Sequence, residues 1–295
     1  MTEATTPLPG TDPVPVLEMR GIGKTFPGVR ALDGVHLTAH AGRVVALLGE
    51  NGAGKSTLIN VLSGVFPAYD GEVLVDGEPV TLHAPAEAQR LGIATIHQEL
   101  NLVPDMSVSD NVWLGRERSR AGWVERREQA REAARLLGRV GLEIDPRKPV
   151  RQFRVAEQQL IEVAKALSID TRVLIMDEPT SALDVVAQRS LMVQIKELQK
   201  QLGFAVVFVT HDMSLVSHFS DKLVVMYAGQ VVEFGDTRAV FDAPQHPYSA
   251  GLLDAFPSIR GPKVPLTGIP GSPPNLAGRA DHRAGLLGKP RAKPR

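Results

Sequence analysis

The sequence predicts an α/β fold: a parallel sheet flanked by helices, with antiparallel strands and a helical insert attached to it. Three observations lead there. Val44–Leu48, Val173–Met176 and Ala205–Val209 are short, unbroken apolar runs, as expected of strands buried on both faces of a parallel sheet. Helical spacing lies between such runs, with Leu160, Ala164 and Leu167 at i, i+4 and i+7. Two turn signals mark antiparallel hairpins, Asp76-Gly77 within Glu72–Val80 and Ala228-Gly229 within Leu223–Glu233.

Taken in order, residues 1–15 are rich in Pro and Thr and read as a flexible leader. Periodic structure begins near Val16, and the main domain is expected over 16–257. Between Val108 and Arg154 the chain turns charged and helical, most clearly over Glu125–Gly138. This predicts a helical insert spanning about 102–156. Residues 258–295 form an extension rich in Pro and Gly. Its last part, 279–295, carries six Lys or Arg against one Asp, and reads as a solvated basic tail.

Composition bounds the function. Hydrophobic residues make up 43% of the 295, enough for a sizeable core. Lys plus Arg and Asp plus Glu are equal at 33 each, so no bulk charge calls for nucleic acid as a partner. The chain has no Cys, which excludes disulfides and thiolate metal sites. No apolar run approaches the ~20 residues of a membrane span. The first residues lack the basic patch and apolar core of a secretory signal. The expectation is a cytosolic chain that reaches a membrane only through a partner.

One motif fits a phosphate-binding loop. Gly49-Glu50-Asn51-Gly52-Ala53-Gly54-Lys55-Ser56-Thr57 matches G-x-x-x-x-G-K-[ST], with a strand before it and a helical pattern after. Glycines let the backbone curl so that several N–H groups face one anion. The helix that follows directs its positive end to the phosphates. Lys55 is expected to reach the β and γ phosphates and Ser56 to offer its hydroxyl to Mg²⁺. A second motif is acidic: Val173–Met176 runs into Asp177 and Glu178. Carboxylates at the C-terminal edge of an α/β strand stand where such sheets bind ligands. Asp177 is placed for the Mg²⁺ shell, and Glu178 to polarise an attacking water.

Four further features narrow the class. Gln98 lies in Ile96-His97-Gln98-Glu99-Leu100. Gln158-Gln159 lead a helix about twenty residues before the acidic pair that ends the strand. Ser181-Ala182-Leu183-Asp184 follows Asp177-Glu178-Pro179-Thr180. His211 ends a strand in Val209-Thr210-His211-Asp212. In this order, from about Val16 to Pro257, the set resembles ATP-binding cassette ATPases of ABC transporters. The resemblance implies a P-loop NTPase fold with a RecA-like parallel sheet, an antiparallel β subdomain and a helical insert. It also implies roles. Gln98 is similar to the glutamine that touches Mg²⁺ and water and couples to the insert. Asp184 is similar to the aspartate at the dimer seam, and His211 to the histidine that contacts the γ-phosphate. Phe26 stands where an aromatic stacks on adenine. Taken singly, each of these residues is more often structural.

The chain departs from the family at one place. Where members usually read Leu-Ser-Gly-Gly-Gln, it has Phe153-Arg154-Val155-Ala156-Glu157. In the family this loop binds the γ-phosphate held by the opposite cassette. Two outcomes are physically open: the Arg154 guanidinium pairs with that phosphate, or its bulk keeps the dimer from closing.

The two halves resemble different importers. Phe26–Leu32, the loop Gly49–Gly54 and Ile96–Leu102 resemble monosaccharide-import ATPases, which usually hold two cassettes per chain. This chain has one phosphate loop. Leu183–Val186, Met226–Gly229, His246-Pro247-Tyr248 and Ile269–Leu276 resemble dipeptide and oligopeptide importers. Their Cys-containing segment has no counterpart here, so no iron–sulfur cluster is expected.

The resemblance therefore implies an ATP-hydrolysing importer subunit at the cytoplasmic face of the membrane, using ATP and Mg²⁺. Its partners would be integral membrane permease subunits and a second cassette, identical or not, with an extracytoplasmic solute-binding protein engaged indirectly. Sugar is the favoured cargo and peptide a close second. The alternatives are a degenerate regulatory cassette or a soluble non-transport ATPase.

Overall fold

The computed structural model describes residues 15–117, 119, 120, 123–179 and 183–255. Outside them lie Thr180, Ser181, Ala182 and all of 256–295, which holds the extension and basic tail. The leader lies outside them too, except Pro15, which already belongs to a strand. Two long strands, β1 (Pro15–Phe26) and β2 (Val29–His40), pair antiparallel. The phosphate loop joins β3 (Val44–Leu48) to helix α1 (Lys55–Leu62). Next come the hairpin β4 (Asp70–Val75) and β5 (Glu78–Val80), helix α2 (Pro85–Arg90) and strand β6 (Ile93–Ile96).

The insert follows. It contains α3 (Val108–Val112), a small hairpin of β7 (Ser119–Arg120) and β8 (Trp123–Val124), and α4 (Arg126–Arg139). Helix α5 (Val155–Ala166) leads to β9 (Val173–Asp177), α6 (Val185–Leu202) and β10 (Ala205–Val209). The chain then runs through α7 (Met213–Phe219), β11 (Lys222–Tyr227), β12 (Gln230–Asp236), α8 (Thr237–Asp242) and α9 (Pro247–Asp254).

Six strands form the central sheet in the order β12-β11-β3-β10-β9-β6, and four form a second sheet in the order β2-β1-β4-β5. All pairings from β11 to β6 are parallel, and only β12 is antiparallel. The second predicted hairpin is therefore the edge of the central sheet rather than a neighbour of it. Alternation along each central strand divides its side chains between two faces. Val45, Leu47, Val173, Ile175, Val207 and Val209 pack with α1 and with β1 and β2. Leu174, Met176, Val206 and Phe208 pack on the other face with α5 and α6. A third cluster joins Ala46, Leu48 and Val225 to α7, α8 and α9. This two-sided burial is why the three strands appear in the sequence as unbroken apolar runs.

Both predicted turns adopt the left-handed backbone of a type I′ hairpin, with φ of 53° and 81° at Asp76-Gly77 and 49° and 77° at Ala228-Gly229. The long β1–β2 pair was not expected. Its register shifts four times, between Pro15 and Leu17 and from Met19 through Thr25. Each bulge breaks the period of two that a sequence search relies on.

Candidate functional site

Strand register brings the predicted residues to one edge of the central sheet. Val209 lies opposite Leu47 on one side and Asp177 on the other. Met176 lies opposite Ile96. The chain therefore leaves four neighbouring strands at about one level. There it delivers the phosphate loop after β3, His211 after β10, Asp177 at the end of β9 with Glu178 next, and Gln98 after β6. The Glu178 N–H donates to the carbonyl of Val209 at 2.9 Å, fastening β9 to β10 where both end.

Sterics shape the loop itself. Gly54 has φ +102°, and a Cβ there would meet the Ala31 carbonyl oxygen at 2.8 Å. Only glycine lets the loop approach β2 so closely in that conformation. The turn between β11 and β12 supports the same region: Gly229 N–H donates to the Ala53 carbonyl at 3.0 Å. Lys55 is 8% exposed. Its ammonium donates to the carbonyls of Gly49 at 2.7 Å and Glu50 at 3.0 Å. Asn51, Gly52 and Ser56 are exposed, and Thr57 is half-buried.

Electrostatics match an anion beside a cation. Burial pulls the Lys55 ammonium below its usual range, although Glu178, Asp177 and Glu50 oppose the shift. Burial, with Glu178 second, pushes the Asp177 carboxyl above its usual range, against His97 and Lys55. Each wall thus penalises its own charge, and a phosphate beside Lys55 or a cation beside Asp177 would relieve it. The cation ligands expected from the sequence, the Ser56 hydroxyl, the Gln98 amide oxygen and the Asp177 carboxylate, offer oxygen atoms alone. This all-oxygen set suits Mg²⁺.

Glu178 has φ 46°, left-handed for a non-glycine residue, a conformation that costs about 1–2 kcal/mol and is found at functional sites. His211 Nδ1 lies 3.6 Å from Glu178 Oε1, with the His211 side chain 74% exposed and that of Glu178 only 20%. Gln98 is exposed. Beside it a cavity of about 200 Å³ runs between β6 and α5, lined by Thr95, His97, Asn101, Glu162 and Lys165. Burial raises the Glu162 carboxyl, against Lys165 and the Asn101 backbone.

Three predicted residues stand apart. The Phe26 ring, at the end of β1, meets Phe66 edge-on at 5.3 Å, and the Lys24 ammonium lies 5.3 Å from its centre. Asp184 is the N-cap of α6, its Oδ1 accepting from Ala187 N–H at 2.8 Å. Arg154 is exposed at the N-cap of α5, where the Glu157 carboxylate accepts its backbone N–H at 2.7 Å. Among the described residues, none of the three bonds to the phosphate loop.

Two residues that stand in sequence motifs without an assigned role also lie against the site. His97 lies close enough to Asp177 to lower its pKa; its place next to Gln98 was a usable signal. Tyr248 reaches the loop from α9, and only the three-dimensional structure reveals it.

The family model for the ABC transporter matches residues 32–181, and that for the oligopeptide/dipeptide transporter C-terminal region matches 232–285. A ribose import ATP-binding protein of Rubrobacter xylanophilus is 49% identical over 218 residues, covering 74% of this chain and 44% of that protein. The chain thus spans about half the length of the curated relatives it matches. A nucleotide-free ATP-binding cassette from an ABC transporter superposes with a TM-score of 0.72 at 25% identity, covering 81% of this chain and 98% of that one. A dimeric cassette in a post-hydrolysis state with ADP and Pi superposes with a TM-score of 0.64 at 26% identity, covering 75% and 99%. With its phosphate loop, acidic strand end and central sheet arranged in this way, the chain belongs to the ABC transporter family and has the fold of its ATP-binding cassettes.

Proposed function

We propose that the chain binds and hydrolyses ATP to power an importer whose channel is a separate membrane permease, with a sugar as the favoured cargo. One observation carries the reading: a buried lysine in the phosphate loop, the Asp177–Glu178 pair and His211 leave adjacent strands at one edge of the sheet.

In this reading the amides of Gly49–Ser56 and the Lys55 ammonium hold the β and γ phosphates, and Thr57 continues the loop into α1. Ser56, Gln98 and Asp177 would hold Mg²⁺, which when bound neutralises phosphate charge and orients the γ-phosphoryl. Glu178 accepts a hydrogen bond from the attacking water and aims it in line. His211 donates towards the γ-phosphate. Phe26 offers an aromatic surface to adenine. Asp184 and Arg154 would act across a dimer. The exposed Val185 and Val186 beside Asp184 suit a face that a second cassette covers (79% and 80% exposed). The reading holds for a second cassette identical to this one or different from it. The insert and the cavity beside Gln98 would meet the permease, so nucleotide closure would move it. A solute-binding protein would act through that permease. Among the described residues no helix is long and apolar enough to cross a membrane, and the proposed location is the cytoplasmic face, on a partner.

The test is Glu178→Gln in the purified chain with its permease. ATP should bind within about threefold of wild type, while turnover falls by about 10²-fold or more. Near-wild-type turnover would remove Glu178 from its role. A second reading of the cargo, a short peptide, draws on the match of 232–285 to the oligopeptide/dipeptide region. The permease that co-purifies, assayed with labelled ribose and dipeptide, separates the two.

A further inference from the structure

The His246-Pro247-Tyr248 motif has no part in the mechanism above, yet it reaches the phosphate loop. Pro247 opens α9, a place where its missing N–H costs nothing. The start of this helix is pinned from β12. The Glu233 carboxylate accepts from Gln245 N–H at 2.8 Å and from His246 N–H at 3.1 Å. His246 Nδ1 then accepts from Tyr248 N–H at 3.1 Å. So anchored, α9 sends the Tyr248 ring into the core, 1% exposed, against the Tyr227 ring at 4.4 Å.

At its tip, the Tyr248 hydroxyl oxygen accepts the Glu50 N–H at 3.0 Å. That N–H belongs to the Gly49–Glu50 peptide, whose carbonyl takes the Lys55 ammonium at 2.7 Å. A trans peptide directs its C=O and N–H to opposite sides, so this one unit is gripped from both sides. The adjoining position admits only glycine, since a Cβ there would collide with the Met226 carbonyl oxygen. Once Lys55 turns to a phosphate, the grip on the carbonyl weakens and the Tyr248 hydroxyl is left to hold the start of the loop.

We propose that Tyr248 is a positioning residue for nucleotide binding: its hydroxyl fixes the Gly49–Glu50 peptide so that the amides beyond it stay aimed at the phosphates. This rests on the nucleotide-binding reading and extends it, because it ties the C-terminal segment to the phosphate loop. It is a role for a hydroxyl, not for a ring. A purely structural Tyr248 would be replaced by Phe without consequence for nucleotide.

Two measurements on the chain test it. In Tyr248→Phe, MgADP should bind three- to tenfold more weakly, KM for ATP should rise to match, and kcat should stay within twofold. Less than threefold weakening of MgADP in a folded variant overturns the proposal. The second measurement needs neither nucleotide nor mutation. In the wild-type chain the Glu50 amide should exchange with solvent at least tenfold more slowly than the exposed Asn51 and Gly52 amides. An unprotected Glu50 amide overturns the proposal even if Tyr248→Phe fails to fold. Failure of the wild-type chain to bind MgADP at all would instead strike the nucleotide reading on which the proposal stands.

Discussion

His211 Nδ1 stands 3.6 Å from Glu178 Oε1 across the ends of two adjacent strands, one side chain open to solvent and the other largely covered. The gap is longer than a hydrogen bond, so neither group is consumed by the other. Glu178 is free to accept a hydrogen bond from a water, and His211 to donate to a phosphate oxygen. His211→Ala should therefore leave ATP binding within about threefold of wild type and lower turnover by about 10²–10³-fold, the usual effect of losing one donor to transition-state charge. Turnover within tenfold of wild type would show that the pairing is only structural. Titrating ATP by fluorescence and following phosphate release separates the two quantities.

Asp177 is held at a cost to the fold. Burial and the neighbouring Glu178 raise its pKa. For a carboxyl raised above its unfolded value, the folded state binds the proton more tightly. The charged form is therefore a penalty above the unfolded pKa, relieved as pH falls through the folded value. A neutral side chain of the same shape removes that penalty. Asp177→Asn should raise the melting temperature of the nucleotide-free chain, as relief of an electrostatically strained site does, while abolishing Mg²⁺-dependent turnover. The gain should be present at pH 7 and shrink in acid. Equal melting temperatures at pH 7 would contradict the electrostatic argument even if activity is lost.

Two loop glycines should respond differently to alanine. Gly54 has φ +102°, and a Cβ there would meet the Ala31 carbonyl oxygen at 2.8 Å and Leu32 Cδ2 at 3.0 Å. Gly52 has φ +83° but open space around it. Gly54→Ala pays both backbone strain and collision, of order 1–3 kcal/mol for the strain alone, and should lose MgADP binding. Gly52→Ala pays only the strain, so it should melt higher than Gly54→Ala. Calorimetry of the two variants side by side decides it, and the reverse order would mean that contact with β2 does not constrain the loop.

What the sequence made legible follows from locality. The strands β3, β9 and β10 could be read because both their faces are buried, leaving five-residue apolar runs or nearly so. The phosphate loop could be read because its chemistry is contiguous. The order of strands, and with it the meeting of Glu178 and His211, depends on parallel pairing that leaves no local mark. The β1–β2 pair was hidden by its bulges, and the small β7–β8 hairpin by strands of two residues each. Tyr248 was noticed as part of a motif, but its partner Glu50 is 198 residues away, and no spacing rule connects them.

Arg154 is the point where the chain leaves the family pattern, and its surroundings sharpen what that means. The residue has N-cap geometry, φ −68° and ψ 158°, at the start of α5. Arginine has no acceptor with which to cap the helix amides. Glu157 supplies half of a capping box by accepting the Arg154 N–H at 2.7 Å. A serine hydroxyl in this place could accept from the first turn and complete the box. Arg154→Ser should therefore stabilise the chain by about 0.5–2 kcal/mol. Its effect on turnover tests the other side of the residue. The residue is exposed, so its guanidinium is available to a phosphate held by a second cassette. If it serves that phosphate, replacing it by a shorter donor changes the rate of the permease-bound protein by less than tenfold, about 1.4 kcal/mol in the barrier. A rise well beyond tenfold would show that its bulk holds two cassettes apart, and an unchanged melting temperature would show that the N-cap of α5 gains nothing from the hydroxyl.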